Sequence, residues 1–166
     1  MRDVRGLPDA QHVRFESFRE YEDRFDALVP RATSVIRVFE RRLPARYSSS
    51  VRCELLREFL RGDATRQFLV VVHEAAPLVQ DCPRLLRLAL EYHPRVKMRQ
   101  TAPTARHVQD PCMVVDDRHY LHRFNYASMR STQGLDDLPG AQQLIERYEE
   151  VWEGAAPVRY GAPTGL

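Results

Sequence analysis

The sequence predicts one α/β domain, a mixed and mainly parallel sheet flanked by helices, with a β-hairpin and a last helix near the C-terminus. Three observations predict it. Helix-period and strand-like segments alternate along the chain. Residues 67–73 (QFLVVVH) form a continuous apolar run, the pattern of a strand covered on both faces. Two short strand-like runs joined by Asp116-Asp117-Arg118 then precede an amphipathic stretch closed by Gly154.

Each element has a local reason. Ser17 and Glu20 are spaced as a capping box, and Phe18, Tyr21, Phe25, Leu28 and Val29 recur at helical spacing until Pro30. Residues 34–39 (SVIRVF) are rich in β-branched residues and read as a strand. Ser48, Ser49 and Ser50 offer caps to a second helix with the stripe Val51, Leu55, Leu56, Phe59 and Leu60, stopped by Gly62. Asp81 and Pro83 open a third helix carrying Leu85, Leu86, Leu88, Ala89 and Leu90, ended by His93-Pro94. Residues 96–100 read as a strand, 101–111 as a loop, 112–115 and 119–124 as the hairpin, and 128–138 as a polar, turn-rich connection. Pro139 starts the last helix, with Ala141, Leu144, Ile145, Tyr148, Val151 and Trp152 on one face. Residues 1–14 are expected to be an extension, 15–154 the domain and 155–166 a disordered tail.

Composition narrows the function classes. No stretch approaches the apolar length of a transmembrane helix, and Arg2, Asp3, Arg5 and Asp9 exclude a signal peptide at the start, so a cytoplasmic bacterial protein is expected. Cys53, Cys82 and Cys112 are widely spaced, with no C-x-x-C pair, and read as buried thiols. The net charge of +2 implies no nucleic acid by itself. Lys97 is the one lysine among 25 basic residues, so 24 are arginine, scattered along the chain. A GC-rich genome explains that bias, and so does recognition of phosphate or carboxylate by bidentate guanidinium forks. No metal motif and no cofactor loop is present.

Residues 111–131 (PCMVVDDRHYLHRFNYASMRS) resemble the signature region of phospholipase D-like proteins. There a strand bearing H-x-K-x-x-x-x-D enters a tight turn, and a second strand ends in Gly-Ser-x-Asn before a polar loop. Met113 to Asp117 is similar to the end of the first strand, His119 to Arg123 to the second, and Asn125 stands where the family's Asn would. The alternation upstream extends the resemblance to roughly residues 15–153. With Asp116 as the motif aspartate, Gln109 and Pro111 replace the family's His and Lys. With Asp117, Asp110 and Cys112 do. Neither register offers the imidazole nucleophile or the ammonium that neutralises the phosphoryl oxygens.

The resemblance therefore implies a phospholipase D-like half-unit that acts as a non-catalytic interaction or accessory module. It implies a homodimer about a two-fold axis, and an association with bacterial acetyltransferases as neighbours or fusions, although no pyrophosphate-binding Gly-rich loop is present. Asp116, Asn125, Ser128 and Arg130 are the expected remnant of a phosphate pocket. An arginine-rich nucleic-acid or phosphate binder, with Tyr92, Tyr120, Phe124 and Tyr126 available for stacking, is the first alternative. A divergent phosphodiesterase using His107, His119 or His122 is the second. Strand alternation sends His119 and His122 to opposite faces, and hairpin chemistry explains Asp116 and Asp117 on its own.

Overall fold

The computed structural model describes residues 9–160. The described elements are β1 (Gln11–Phe15), α1 (Phe18–Leu28), β2 (Val35–Glu40), α2 (Ser50–Gly62), β3 (Gln67–Val72), α3 (Ala76–Asp81), α4 (Pro83–Glu91), β4 (Val96–Gln100), β5 (Cys112–Val115), β6 (His119–Arg123), β7 (Ser131–Leu135), α5 (Leu138–Glu153) and β8 (Ala156–Pro157). The strands form one sheet in the order β1-β7-β6-β5-β2-β3-β4-β8. β2, β3 and β4 run parallel, connected through α2 and through α3–α4. β5 joins β2 antiparallel, and β6, β7 and β1 continue the antiparallel half. The α/β sandwich with a mixed sheet expected from sequence is present, but the expected parallel majority is not. Among the described residues two of the seven strand pairings are parallel and five are antiparallel.

Burial on both faces follows from alternation. Phe68, Val70 and Val72 of β3 pack with α1, α2 and α4, while Val71 packs with Ala141, Leu144, Tyr148 and Val151 of α5. Each fully buried apolar side chain of this size contributes on the order of 2 kcal/mol. Tyr148 spans that second layer and donates its hydroxyl to the Leu69 carbonyl at 2.9 Å.

The caps follow the expected chemistry with one exchange. Ser17 Oγ accepts from the Glu20 amide, and Ser49 Oγ accepts from the Arg52 amide. Ser48, expected to serve the same helix as Ser49, instead accepts from the Arg84 and Leu85 amides at the start of α4. It thus satisfies two of the orphan donors that Pro83 and Cys82 leave at that terminus.

Several expectations change. Val51 was placed on the α2 core stripe but is 65% exposed, and Arg52 is 1% exposed in its stead. Arg52 remains buried because Nε donates to Asp26, Nη2 donates to Glu22, and the guanidinium lies over the Phe25 and Tyr47 rings. Residues 11–14, read as extension, form most of edge strand β1, paired with β7. Residues 131–135, read as turn-rich, are β7 itself. Gly134 is required there because a Cβ would meet the Tyr120 ring at 2.3 Å. The helix expected from Asp81 is preceded by a separate short one, α3. Ala156–Pro157 of the expected tail pair with β4, and the Val158 amide donates to the Met98 carbonyl. The rest of the extension (residues 1–8) and of the tail (161–166) lies outside the described residues.

Candidate anion-binding cleft

β2 and β3 run parallel and β6 points the same way, so Glu40, His73 and Arg123 meet at one end of the sheet. Ligand sites in open parallel sheets lie outside the carboxyl ends of strands, because loops diverge there while backbone groups remain available. At this end a cavity of about 240 Å³ is lined by Glu40, Arg41, Arg42, Arg46, Tyr47 and Arg123, with Tyr126 at its wall. A neighbouring cavity of about 200 Å³ is lined by Arg41, His73, Glu74, Arg106, Gln109 and Tyr126.

The floor is a buried charge pair. Arg123 Nη2 donates to Glu40 Oε2 at 3.3 Å, and Tyr47 donates its hydroxyl to Glu40 Oε1 at 2.8 Å. Burial pushes the Glu40 carboxyl above its ordinary range, and Arg123 opposes that shift. Arg123 is 7% exposed, yet its Nε is buried with no hydrogen-bond partner among the described residues. Nearer the opening, Arg41 and Arg42 reach Glu74 only at 3.5 and 4.0 Å, so their forks stay largely unspent. Arg41 also stacks on Tyr126 at 4.4 Å.

The groups nearest to a nucleophile here are spent. His73 Nδ1 lies 2.6 Å from Thr101 Oγ1, and Nε2 lies 2.6 Å from the Val108 carbonyl, which can only accept. Both ring nitrogens are therefore engaged. Cys112 opens β5, and burial pushes its thiol up to about 12, so it stays protonated and unreactive at neutral pH. Asp110 accepts from His122 Nε2 at 2.8 Å and from Arg147.

The expected remnant pocket divides. Asn125, Ser128 and Arg130 share the loop beside the cleft. There Asn125 Oδ1 accepts from the Ala127 amide, Ser128 Oγ accepts from the Arg130 amide, and Arg130 lies 3.7 Å from Glu16. Asp116 sits at the far end of β5, where its carboxylate accepts from the amides of Thr33, Ser34 and Val35 and from Thr33 Oγ1. The three histidines do not converge either. His107 Nδ1 engages the Thr104 carbonyl in an exposed turn, His119 Nδ1 accepts from the Asp136 amide at the hairpin turn, and His122 faces α5. The opposite faces expected for His119 and His122 are observed.

Sequence reasoning missed Glu40, Arg41, His73 and Arg123, and named Tyr126 only as a stacking residue. The signal was available in position: the first three close predicted strands or follow them, and Arg123 fills the Ser position of the Gly-Ser-x-Asn pattern if Asn125 is its Asn.

A family model, Domain of unknown function (DUF7931), matches residues 18–159. The chain belongs to this family. No curated protein matches the DUF7931 chain in sequence. Its fold is phospholipase D-like. The phospholipase D family member Nuc from Salmonella typhimurium superposes with a TM-score of 0.65 at 11% identity, covering 91% of this chain and 99% of Nuc. NucT from Helicobacter pylori gives 0.62 at 12% identity, covering 90% of this chain and all of NucT. TrmBL2, an archaeal chromatin protein described with a novel mode of DNA binding, gives 0.65 at 13% identity over 89% of this chain and 55% of TrmBL2. Among the described residues no helix is long and apolar enough to cross a membrane.

Proposed function

We propose that this DUF7931 chain is a non-catalytic phospholipase D-like module that holds a phosphate-bearing ligand in the cleft without cleaving it, serving as an interaction or accessory unit. One observation carries this reading. Arg123 lines the cavity with Arg41, Arg42 and Arg46, and Arg41 and Arg42 meet their nearest carboxylate, Glu74, only at 3.5 and 4.0 Å, an arrangement that an anion would complete. A hydrogen bond from such a charged guanidinium to a ligand oxygen contributes roughly 1.5 to 3 kcal/mol. His73 and Cys112, both spent, support binding without turnover.

Bis(p-nitrophenyl) phosphate tests both halves. Saturable binding is expected, weakened about tenfold by Arg42→Ala through loss of a charge-assisted bond. No p-nitrophenolate should be released above the buffer rate. Release that disappears on replacing His107, His119 or His122 would restore the phosphodiesterase reading, and absence of binding would remove the cleft. DNA is one source of phosphate, and TrmBL2, which the chain matches over 55% of its length, is described as binding DNA. The two-fold homodimer implied by resemblance belongs to the same proposal. Sedimentation should show a dimer, and a strict monomer at high concentration would remove it.

A further inference from the structure

Arg41 and Tyr126 line both cavities at the mouth, and they stack on each other with the Arg41 guanidinium 4.4 Å above the ring. The stack is therefore a partition: Arg42, Arg46 and Arg123 lie on one side and Arg106 on the other. We infer that the cleft is a two-compartment site for a ligand carrying two neighbouring phosphate groups, one on each side of the Arg41–Tyr126 partition, with Arg41 shared between them. This inference rests on the cleft reading above and deepens it.

Charge and donor count favour phosphate over carboxylate. Five arginines face three glutamates, Glu22, Glu40 and Glu74, across the two compartments. Glu22 is already bound by Arg52 and Arg46, and Glu40 by Arg123 and Tyr47. The N–H groups left over on the larger side outnumber what the two oxygens of a carboxylate accept, and a phosphate group offers more acceptors. A guanidinium fork presents five donors in one plane, so Arg41 can serve an oxygen on each side without moving off Tyr126. Arg106 is exposed on a 3₁₀ turn at residues 103–105, with no hydrogen bond from its side chain among those described. A second anion at the smaller compartment gives that side chain a partner.

Two neighbouring phosphates occur in free polyphosphate and along a single nucleic-acid strand. The test uses the full chain and titration calorimetry with orthophosphate, tripolyphosphate and a short single-stranded oligothymidylate at low salt. Tripolyphosphate or the oligonucleotide should bind about tenfold or more tightly than orthophosphate, as a second charge-assisted contact requires. Whichever of the two binds more tightly names the source. Arg106→Ala should remove most of that advantage, weakening tripolyphosphate and the oligonucleotide more than orthophosphate, while Arg42→Ala weakens every probe. Arg106 and Arg42 are exposed, so both variants should fold, as circular dichroism will verify. Equal affinity for all probes together with a silent Arg106→Ala would overturn the two-compartment inference and leave the single-phosphate cleft intact. Binding of no probe would overturn both.

Discussion

The two ends of the β5–β6 hairpin are built on opposite principles. At the turn end the Asp116 carboxylate is fully matched, although Arg37 Nε nearby is buried without a hydrogen-bond partner among the described residues and Arg118 stands 3.8 Å from Asp117 and Asp136. Asp116, at φ 55°, gathers four donors from residues 33–35, its own amide donates to the Val35 carbonyl, and His119 accepts from the Asp136 amide. At the open end a buried arginine keeps an unmatched Nε, a glutamate is buried against it, and two further arginines hold their nearest carboxylate at arm's length. A closed network of this kind fixes a chain in place. An open one leaves interaction energy for something else. The aspartate that carried the motif resemblance thus has a structural task, ordering the entry into β2, and the proposed phosphate cleft lies at the other end.

The comparison breaks most directly at the open end. Glu40→Gln leaves the Arg123 charge buried without its counter-ion and should destabilise by about 3 kcal/mol, measured by urea denaturation. Adding Arg123→Met removes the stranded charge, so the double variant should recover most of the loss. Equal losses in the single and double variants would mean that the pair is not coupled and that Arg123 is not poised. At the closed end, Asp116→Ala should cost about 2 kcal/mol through the amides it orphans and the left-handed backbone that Ala tolerates poorly. Asp116→Asn keeps one acceptor oxygen and tolerates that conformation, so its loss should be about half as large. If Asn costs as much as Ala, the charge rather than the hydrogen-bond geometry holds the turn.

The sequence made legible whatever is decided by neighbours along the chain. The bounds of β4, α1 and α2, and the hairpin turn, follow from periodicity and caps, and the structure places them within a residue or two. What it hid depends on partners far along the chain. Ser48 looks like one more cap for α2 until α4 arrives to claim it. Arg52 stands outside the apolar stripe read for α2 and is buried only because Glu22 and Asp26 pair with it. Residues 131–135 (STQGL) have a weak strand signature, and they pair because Tyr120 fills the space that Gly134 leaves open. The site was hidden for the same reason. The motif segment, 111–131, holds Arg123, whereas three of the cleft's arginines lie at 41, 42 and 46, brought to Arg123 by the antiparallel pairings of β2 with β5 and of β5 with β6.

The smallest effect separates the two ends by titration. Burial, with Arg31 and Arg118 nearby, holds His119 below its ordinary value of 6.5, so it stays neutral in the folded protein where the unfolded chain would already bind a proton. As pH falls through 6.5 toward the folded value, the unfolded state therefore takes up more protons and stability drops, and below the folded value the loss levels off. Urea midpoints should decline between about pH 7 and pH 5 in the parent protein. His119→Gln keeps an acceptor for the Asp136 amide and removes the titrating ring, so the decline should flatten. An unchanged slope in that variant would move the titration away from the turn, and the hairpin turn could no longer be treated as an electrostatically closed end.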